Sequence, residues 1–255
     1  MNQLFLDVTA GAAGDMLMGA LYALCPEPEA FLHTMHTLGL PGIQICPEPA
    51  EDHGICGVRM HVRFHGAEES HSDPSPHHHH SGSHTHRTLA EVLSQIRSFP
   101  LPAPVLDDAC AVYRLIAGAE ARAHGRPVAE VHFHEVGMLD AVADVTGVCL
   151  LLHQLRPLRV TATPVAVGSG SVRCAHGVLP VPAPATAFLL EGLPTASGPS
   201  SGELCTPTGA ALLRHFVQAF GPVPAEGGRV GRGMGARRFP GHCNAVTARL
   251  VPSPG

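Results

Sequence analysis

Tryptophan is absent from the 255 residues, and aromatic side chains make up only 4% of them. The rows of aromatic rings on which single-stranded nucleic acids stack are therefore missing. Cations are scarce as well: 16 Lys plus Arg stand against 21 Asp plus Glu, a formal net charge of -5. That balance gives no electrostatic hold on a phosphate backbone or an anionic membrane surface. The eight cysteines, at positions 25, 46, 56, 110, 149, 174, 205 and 243, include no C-x-x-C pair. Zinc-finger spacing is thus excluded, and apolar neighbours such as those in Val148-Cys149-Leu150 point to reduced, buried thiols rather than a disulfide framework. Only Cys174, two before His176, and Cys205, beside Thr206, stand where a ligand role competes with a structural one. No run approaches the roughly 20 apolar residues that cross a bilayer. Asp7 interrupts the first apolar run and no basic segment precedes it, so a cytoplasmic protein without a signal peptide is expected. Small molecules, metals and proteins remain as partners.

Histidine is abundant, at 19 residues. The stretch from Val131 to Asp144 holds two imidazoles and three carboxylates within fourteen positions. His132 and His134 are two apart, so on extended backbone their rings share one face while Phe133 takes the other. Gly137 ends that strand, and Asp140 and Asp144, four apart, share one side of the helix that follows. Glu135 is available as a ligand or a general base. Such an imidazole and carboxylate set suits Zn, Ni, Fe or Mn. The competing reading makes the histidines half-buried sheet residues and Asp140 a helix cap.

A second concentration lies between His71 and His86, where seven histidines sit among Ser, Gly, Pro and Asp. His77, His78, His79, His80, His84 and His86 can bind Ni, Zn, Cu or Co through unprotonated rings. Residues 65–87 lack apolar periodicity and are expected to form a mobile insertion in a single domain spanning 1–255; a linker without function is the alternative. Elsewhere, helices are expected at 16–24, 29–38, 89–96 with Thr88 as N-cap, 105–123, 139–155, 185–190 and 211–220. Strands are expected at 3–8, 43–46, 57–64, 159–167, 172–174 and 245–250. The fold class is α+β, a mixed sheet with packed helices.

Three further places carry candidate chemistry. The loop Thr9-Ala10-Gly11-Ala12-Ala13-Gly14-Asp15 joins a strand to a helix N-terminus and can seat an anion on backbone N–H groups. Asp7 and Asp15 beside it suit a bridging Mg or Mn, unless Asp15 simply caps the helix. Thr206-Pro207-Thr208-Gly209 opens another helix, either as a second anion cradle or as a plain cap. His176 sits in a Gly-flanked turn before a run with proline at alternate positions. Arg229, Arg232, Arg237 and Arg238 form the one cationic cluster, lying with glycines in 227–238. Arginine suits a phosphate-bearing ligand, although residue type alone favours a solvated surface hairpin.

Taken in order, Leu6-Asp7 through Gly14-Asp15-Met16, the His-rich insertion, His132-Phe133-His134-Glu135-Val136-Gly137 with Asp140 and Asp144, Cys174-Ala175-His176-Gly177 and Thr206-Pro207-Thr208-Gly209-Ala210 resemble the LarC family of nickel-insertion proteins. The resemblance covers nearly the whole chain. It implies a cyclometallase of the lyase class that places nickel in pyridinium-3,5-bisthiocarboxylic acid mononucleotide. One carbon–nickel and two sulfur–nickel bonds would complete the nickel-pincer cofactor of lactate racemase-type enzymes, with CTP hydrolysed and Mg2+ or Mn2+ assisting. Family members commonly continue into a C-terminal domain associated with CTP, so the chain is expected to be an N-terminal portion, either one partner of a pair whose C-terminal part is separately encoded or a truncated form, and its own use of CTP is an open expectation, as is homo-oligomerisation. On this view His132, His134 and Glu135 are catalytic. His132, His134, Asp140, Asp7, Asp15 and the tract histidines hold metal, and Gly11, Gly14, Asp15, His176, Thr206, Thr208 and Gly209 hold the mononucleotide. Residue type and spacing alone leave two rivals: a nickel store or metallochaperone without catalysis, and a metal-dependent phosphohydrolase using Asp7, Asp15, His134 and Asp140.

Overall fold

Leu4, Phe5 and Leu6 lie in a strand, Asn2–Asp7, that pairs in parallel with Arg159–Ala162 on one side and antiparallel with Ala245–Pro252 on the other. The computed structural model describes residues 2–64, 67–68, 87–133, 139–174, 177–224 and 227–252. Across its main sheet the order is Ala219–Phe220, Arg159–Ala162, Asn2–Asp7, Ala245–Pro252, Arg229–Met234, Ile55–Phe64 and Ile43–Asp52. Parallel and antiparallel neighbours both occur, giving the expected mixed α+β sheet. The helices are α1 (Gly14–Tyr22), α2 (Pro28–His36), α3 (Leu89–Arg97), α4 (Ala103–His124), α5 (Leu139–Leu155), α6 (Pro184–Leu190) and α7 (Pro207–Phe216). Among the described residues none is long and apolar enough to cross a membrane.

Strand alternation decides which face the helices cover. Leu4, Leu6, Val160, Ala162, Val246, Ala248 and Leu250 are buried in the main core with α1, α4 and α5. Their neighbours in sequence, including Asp7 and Thr247, point the other way, as does Arg232, the cross-strand partner of Thr247. Helix α5 carries apolar residues on most sides, from Val142 to Leu152, because it is enclosed by other helices and the sheet. Helix α3 begins with the Thr88 cap expected of T-x-x-E: the Thr88 Oγ1 accepts from the Glu91 N–H while Glu91 Oε2 accepts from the Thr88 N–H. Helix α4 ends on Gly125 at φ 61, the left-handed cap that glycine adopts without strain.

Three expectations change. The hairpin Ile43–Asp52 with Ile55–Phe64 is longer than 43–46 and 57–64. Pro47 and Pro49 fit because their strand is the outermost in the sheet, where a missing N–H breaks no inner ladder. Helix α7 starts at Pro207 and stops at Phe216, so residues 219–220, expected as helix, join the sheet; Gln218 Oε1 accepts from the Val160 N–H at 2.6 Å. Most consequentially, the glycine and arginine segment is not a solvated surface hairpin. Arg229–Met234 is an inner strand, and a Cβ on Gly233 would overlap the Met16 carbonyl oxygen, one on Gly231 that of Ala20. Glycine is there because α1 lies with its backbone directly on the strand.

Candidate functional site

The two small-residue segments singled out by sequence meet in space. Gly11, at φ 107, turns the chain so that the Ala12 N–H donates to the Leu204 carbonyl at 2.9 Å and the Thr206 N–H donates to the Ala12 carbonyl at 3.0 Å. A Cβ on Gly11 would overlap the Leu204 carbonyl oxygen, and one on Gly209 that of Ala12. These glycines therefore permit backbone contact between the two segments. Their donors are largely engaged already: Gly11 N–H to the Val8 carbonyl at 3.0 Å, and Gly209 N–H to Thr206 Oγ1 at 3.2 Å. Thr206 is the N-cap of α7, and its hydroxyl also lies 3.0 Å from that of Thr208. Thr206→Ala should lower stability by about 1 kcal/mol, and Thr206→Ser should restore it; urea unfolding midpoints of the two variants check this.

Beside this junction a group of carboxyls gathers at the start of α1. Ala13 occupies the N-cap without a side-chain bond, so Asp15 is not the cap; its Oδ1 accepts from the Met16 N–H at 2.8 Å within the first turn. Gly14 leaves room for α5: a Cβ there would stand 2.7 Å from Asp144 Oδ2. Asp144 accepts from the Asp15 N–H. Although Asp144 is only half-buried as a residue, its Oδ1 is out of reach of solvent and has no hydrogen-bond partner among the described residues. Burial first, then the charges of Asp15 and Asp140, push its carboxyl well above the usual carboxylate range. Asp140, one turn earlier on α5, accepts from the Ala141 N–H at 2.8 Å. The wholly buried Tyr113 is also raised, by burial and then by Asp140 and Asp144. Its ring meets Phe133 edge-on at 6.1 Å, which ties the cluster to the strand carrying His132.

His132 is exposed and pairs across a short ladder with Thr88; it lies near enough to Glu91 to help hold that carboxylate low, after the Thr88 hydrogen bonds. His134, Glu135, His176 and the tract histidines His77, His78, His79, His80, His84 and His86 lie outside the described residues. Asp7 stands apart on the opposite face of the sheet, its Oδ1 accepting from the Thr9 N–H at 3.1 Å and the Thr9 hydroxyl at 2.7 Å. Cys205 is buried and its thiol is pushed up by that burial, which suits packing rather than ligation. Among the described residues no group of three or more His, Cys, Asp or Glu is disposed to hold a metal ion. Asp15, Asp140 and Asp144 are thus coupled through their field and are not by themselves a finished coordination sphere. From sequence Asp144 stands in the imidazole and carboxylate set beside Asp140, although the metal ligands assigned there do not include it. Its signal was a carboxyl inside the apolar run Ala141-Val142-Ala143-Asp144-Val145, where a charge has no place unless a cation or a proton meets it.

Residues 4–253 match the family model described as "Nickel insertion protein". A protein of Nocardioides sp. named "Pyridinium-3,5-bisthiocarboxylic acid mononucleotide nickel insertion protein" is 39% identical over 247 residues, covering 96% of this chain and 59% of that protein. One of the same name from Geobacillus kaustophilus is 36% identical over 247 residues, with the same two shares, 96% and 59%. Another, from Akkermansia muciniphila, is 39% identical over 243 residues, covering 93% of this chain and 57% of its own. The chain spans about six-tenths of the length of these curated relatives. No solved structure matches it.

Proposed function

The chain belongs to the nickel insertion protein family, and we propose that its site receives Ni2+ and inserts it into a pyridinium-3,5-bisthiocarboxylic acid mononucleotide. The names of the relatives support the substrate. The observation that carries the site is the orphaned, buried Asp144 Oδ1 beside Asp15 and Asp140. Burial and the neighbouring Asp15 and Asp140 carboxyls disfavour a bare negative charge on Asp144, and an arriving divalent ion relieves that penalty.

In this reading Asp15, Asp140 and Asp144 attract the ion, and His132 with His134 supply the imidazole donors that nickel favours over a purely carboxylate set. The tract histidines His77, His78, His79, His80, His84 and His86 collect nickel and raise its concentration near the site. Glu135 accepts the proton that leaves the pyridinium carbon as the carbon–nickel bond forms. The two thiocarboxylate sulfurs complete the chelate and nickel stays divalent throughout. CTP hydrolysis, with Mg2+ or Mn2+, would be supplied through a C-terminal part of the family's longer proteins.

The test is conversion of the mononucleotide by the full-length protein, read by activation of an apo lactate racemase. His132→Ala with His134→Ala, the tract retained, should lower conversion by at least about a hundredfold; undiminished conversion overturns the site. Deleting 71–86 separates insertion from storage. An insertase without the tract works once nickel is in excess, whereas a store loses its nickel altogether.

A further inference from the structure

On the sheet face turned from the helices, at the carboxyl end of Asn2–Asp7, lies a cleft of about 410 Å³. Three of its residues form a row across three adjacent strands: Asp7 is opposite Thr247, and Thr247 is opposite Arg232. Cross-strand partners project to the same side, and Gly231 and Gly233, which flank Arg232, face α1. A carboxylate, a hydroxyl and a guanidinium therefore stand in line. Two strand spacings place Asp7 and Arg232 roughly 9–10 Å apart along the backbone. Among the described residues the Arg232 side chain forms no hydrogen bond or ion pair, and the Asp7 carboxylate accepts only from Thr9, through Oδ1. An arginine with no anion, facing a carboxylate oxygen with no donor, calls for a ligand bearing both.

The loop between Arg229–Met234 and Ala245–Pro252 also lines the cleft, through His242 and Cys243. His242 stacks on Phe239 at 5.2 Å and an interplanar angle of 14°, with Nδ1 3.3 Å from Ser200 Oγ. Its Nε2 is buried and has no partner among the described residues. Cys243 lines the cleft too, but burial and then the Asp52 charge raise its thiol, against the pull of Arg232, which leaves a neutral group without nucleophilic character. Ile55, 38% exposed, supplies an apolar floor.

We propose that this cleft seats a ribose 5-phosphate group, with Arg232 on the phosphate, Asp7 accepting from the ribose hydroxyls and His242 Nε2 hydrogen-bonding the same ligand. A carboxylate at the carboxyl end of a strand is the ordinary way an open sheet grips ribose, and the volume suits a mononucleotide. The assignment rests on the nucleotide reading of the substrate and moves its phosphate away from the helix starts, where the N–H groups of Gly11, Ala12, Thr206 and Gly209 are already engaged. Ala10 is on the cleft wall and Gly14 is four residues further on, at most about 14 Å of chain. A ring attached to the seated ribose is thus in reach of the start of α1.

Calorimetric titration of the full chain with nicotinic acid mononucleotide and with ribose 5-phosphate tests this. Both should bind, and inorganic phosphate should bind more weakly. Arg232→Gln and Asp7→Asn should each weaken binding by at least about tenfold; Arg232→Lys should lose less, and thermal melts should show all three folded. Nickel binding, measured by equilibrium dialysis, should not change in Arg232→Gln. Wild-type affinity for both probes in Arg232→Gln and Asp7→Asn, or no binding of either probe by the unaltered chain, overturns the cleft whatever happens to nickel. Probe binding that depends on Arg232 in a protein that inserts no nickel upholds the cleft and sinks the insertion reading instead.

Discussion

Gly233→Val should cost the protein at least about 3 kcal/mol, a large part of the 5–15 kcal/mol that holds a typical domain together. The first atom of any side chain there meets the Met16 carbonyl oxygen and stands 2.5 Å from the Ala20 nitrogen. Both belong to the α1 backbone, which cannot swing aside as a side-chain tip could. Either α1 lifts from the sheet, exposing Leu17, Leu21 and the strand residues beneath, or the strand leaves its ladder. Both outcomes displace Gly14 and Asp15, so the acidic group at the start of α1 is lost with the packing. Gly118→Ala is the control: nothing lies within 4 Å of a Cβ at that position in α4, and alanine should stabilise the helix by about 0.5–1 kcal/mol. Urea unfolding of the two variants decides the matter; a Gly233→Val midpoint equal to that of the unaltered chain would show that α1 does not rest on this strand.

Gly233 also marks where sequence stops speaking. The Thr88–Glu91 cap, the Gly125 stop of α4 and the Thr206–Pro207 start of α7 were legible because each is written in three or four consecutive residues. The segment 227–238 was not, since glycine reads as flexibility unless one knows that a helix backbone occupies the place its β-carbon would take, which is a fact about α1. The strand expected at 43–46 runs on through Pro47 and Pro49 for a like reason: whether a strand accepts proline depends on which side has a neighbour. The site divides likewise. Asp140 and Asp15 stood out as carboxylates at helix starts. Asp144 was legible as a partner of Asp140 on one side of a helix, but its approach to Gly14, 130 positions away, was not, and the row Asp7, Thr247, Arg232 exists only in the sheet register.

Asp144→Asn should make the protein more stable and less able to take nickel, two effects that a merely structural carboxyl would not separate. The carboxyl is raised in the folded chain by burial and by Asp15 and Asp140, while in the unfolded chain it titrates near its ordinary value. At low pH both states hold the proton and nothing is lost. As pH climbs past the unfolded value and on through the raised folded one, the unfolded state gives up its proton first, so stability falls across that window. The amide keeps the shape, carries no proton to lose, and should therefore leave the two proteins similar near pH 4 and the variant ahead at neutral pH. A difference of roughly 2–4 °C in Tm corresponds to about 1 kcal/mol in a chain of this size. Nickel should reverse the order. At a hundredfold excess over its dissociation constant, an ion bound only by the folded state adds about 2.7 kcal/mol, or roughly 5–10 °C, to the chain with Asp144 and far less to the amide. The His-rich tract is the same in both, so nickel bound there cancels in the comparison. Thermal melts at pH 4, 6 and 8, with and without Ni2+, read all of this at once; equal protection of both proteins by nickel would remove Asp144 from the metal path.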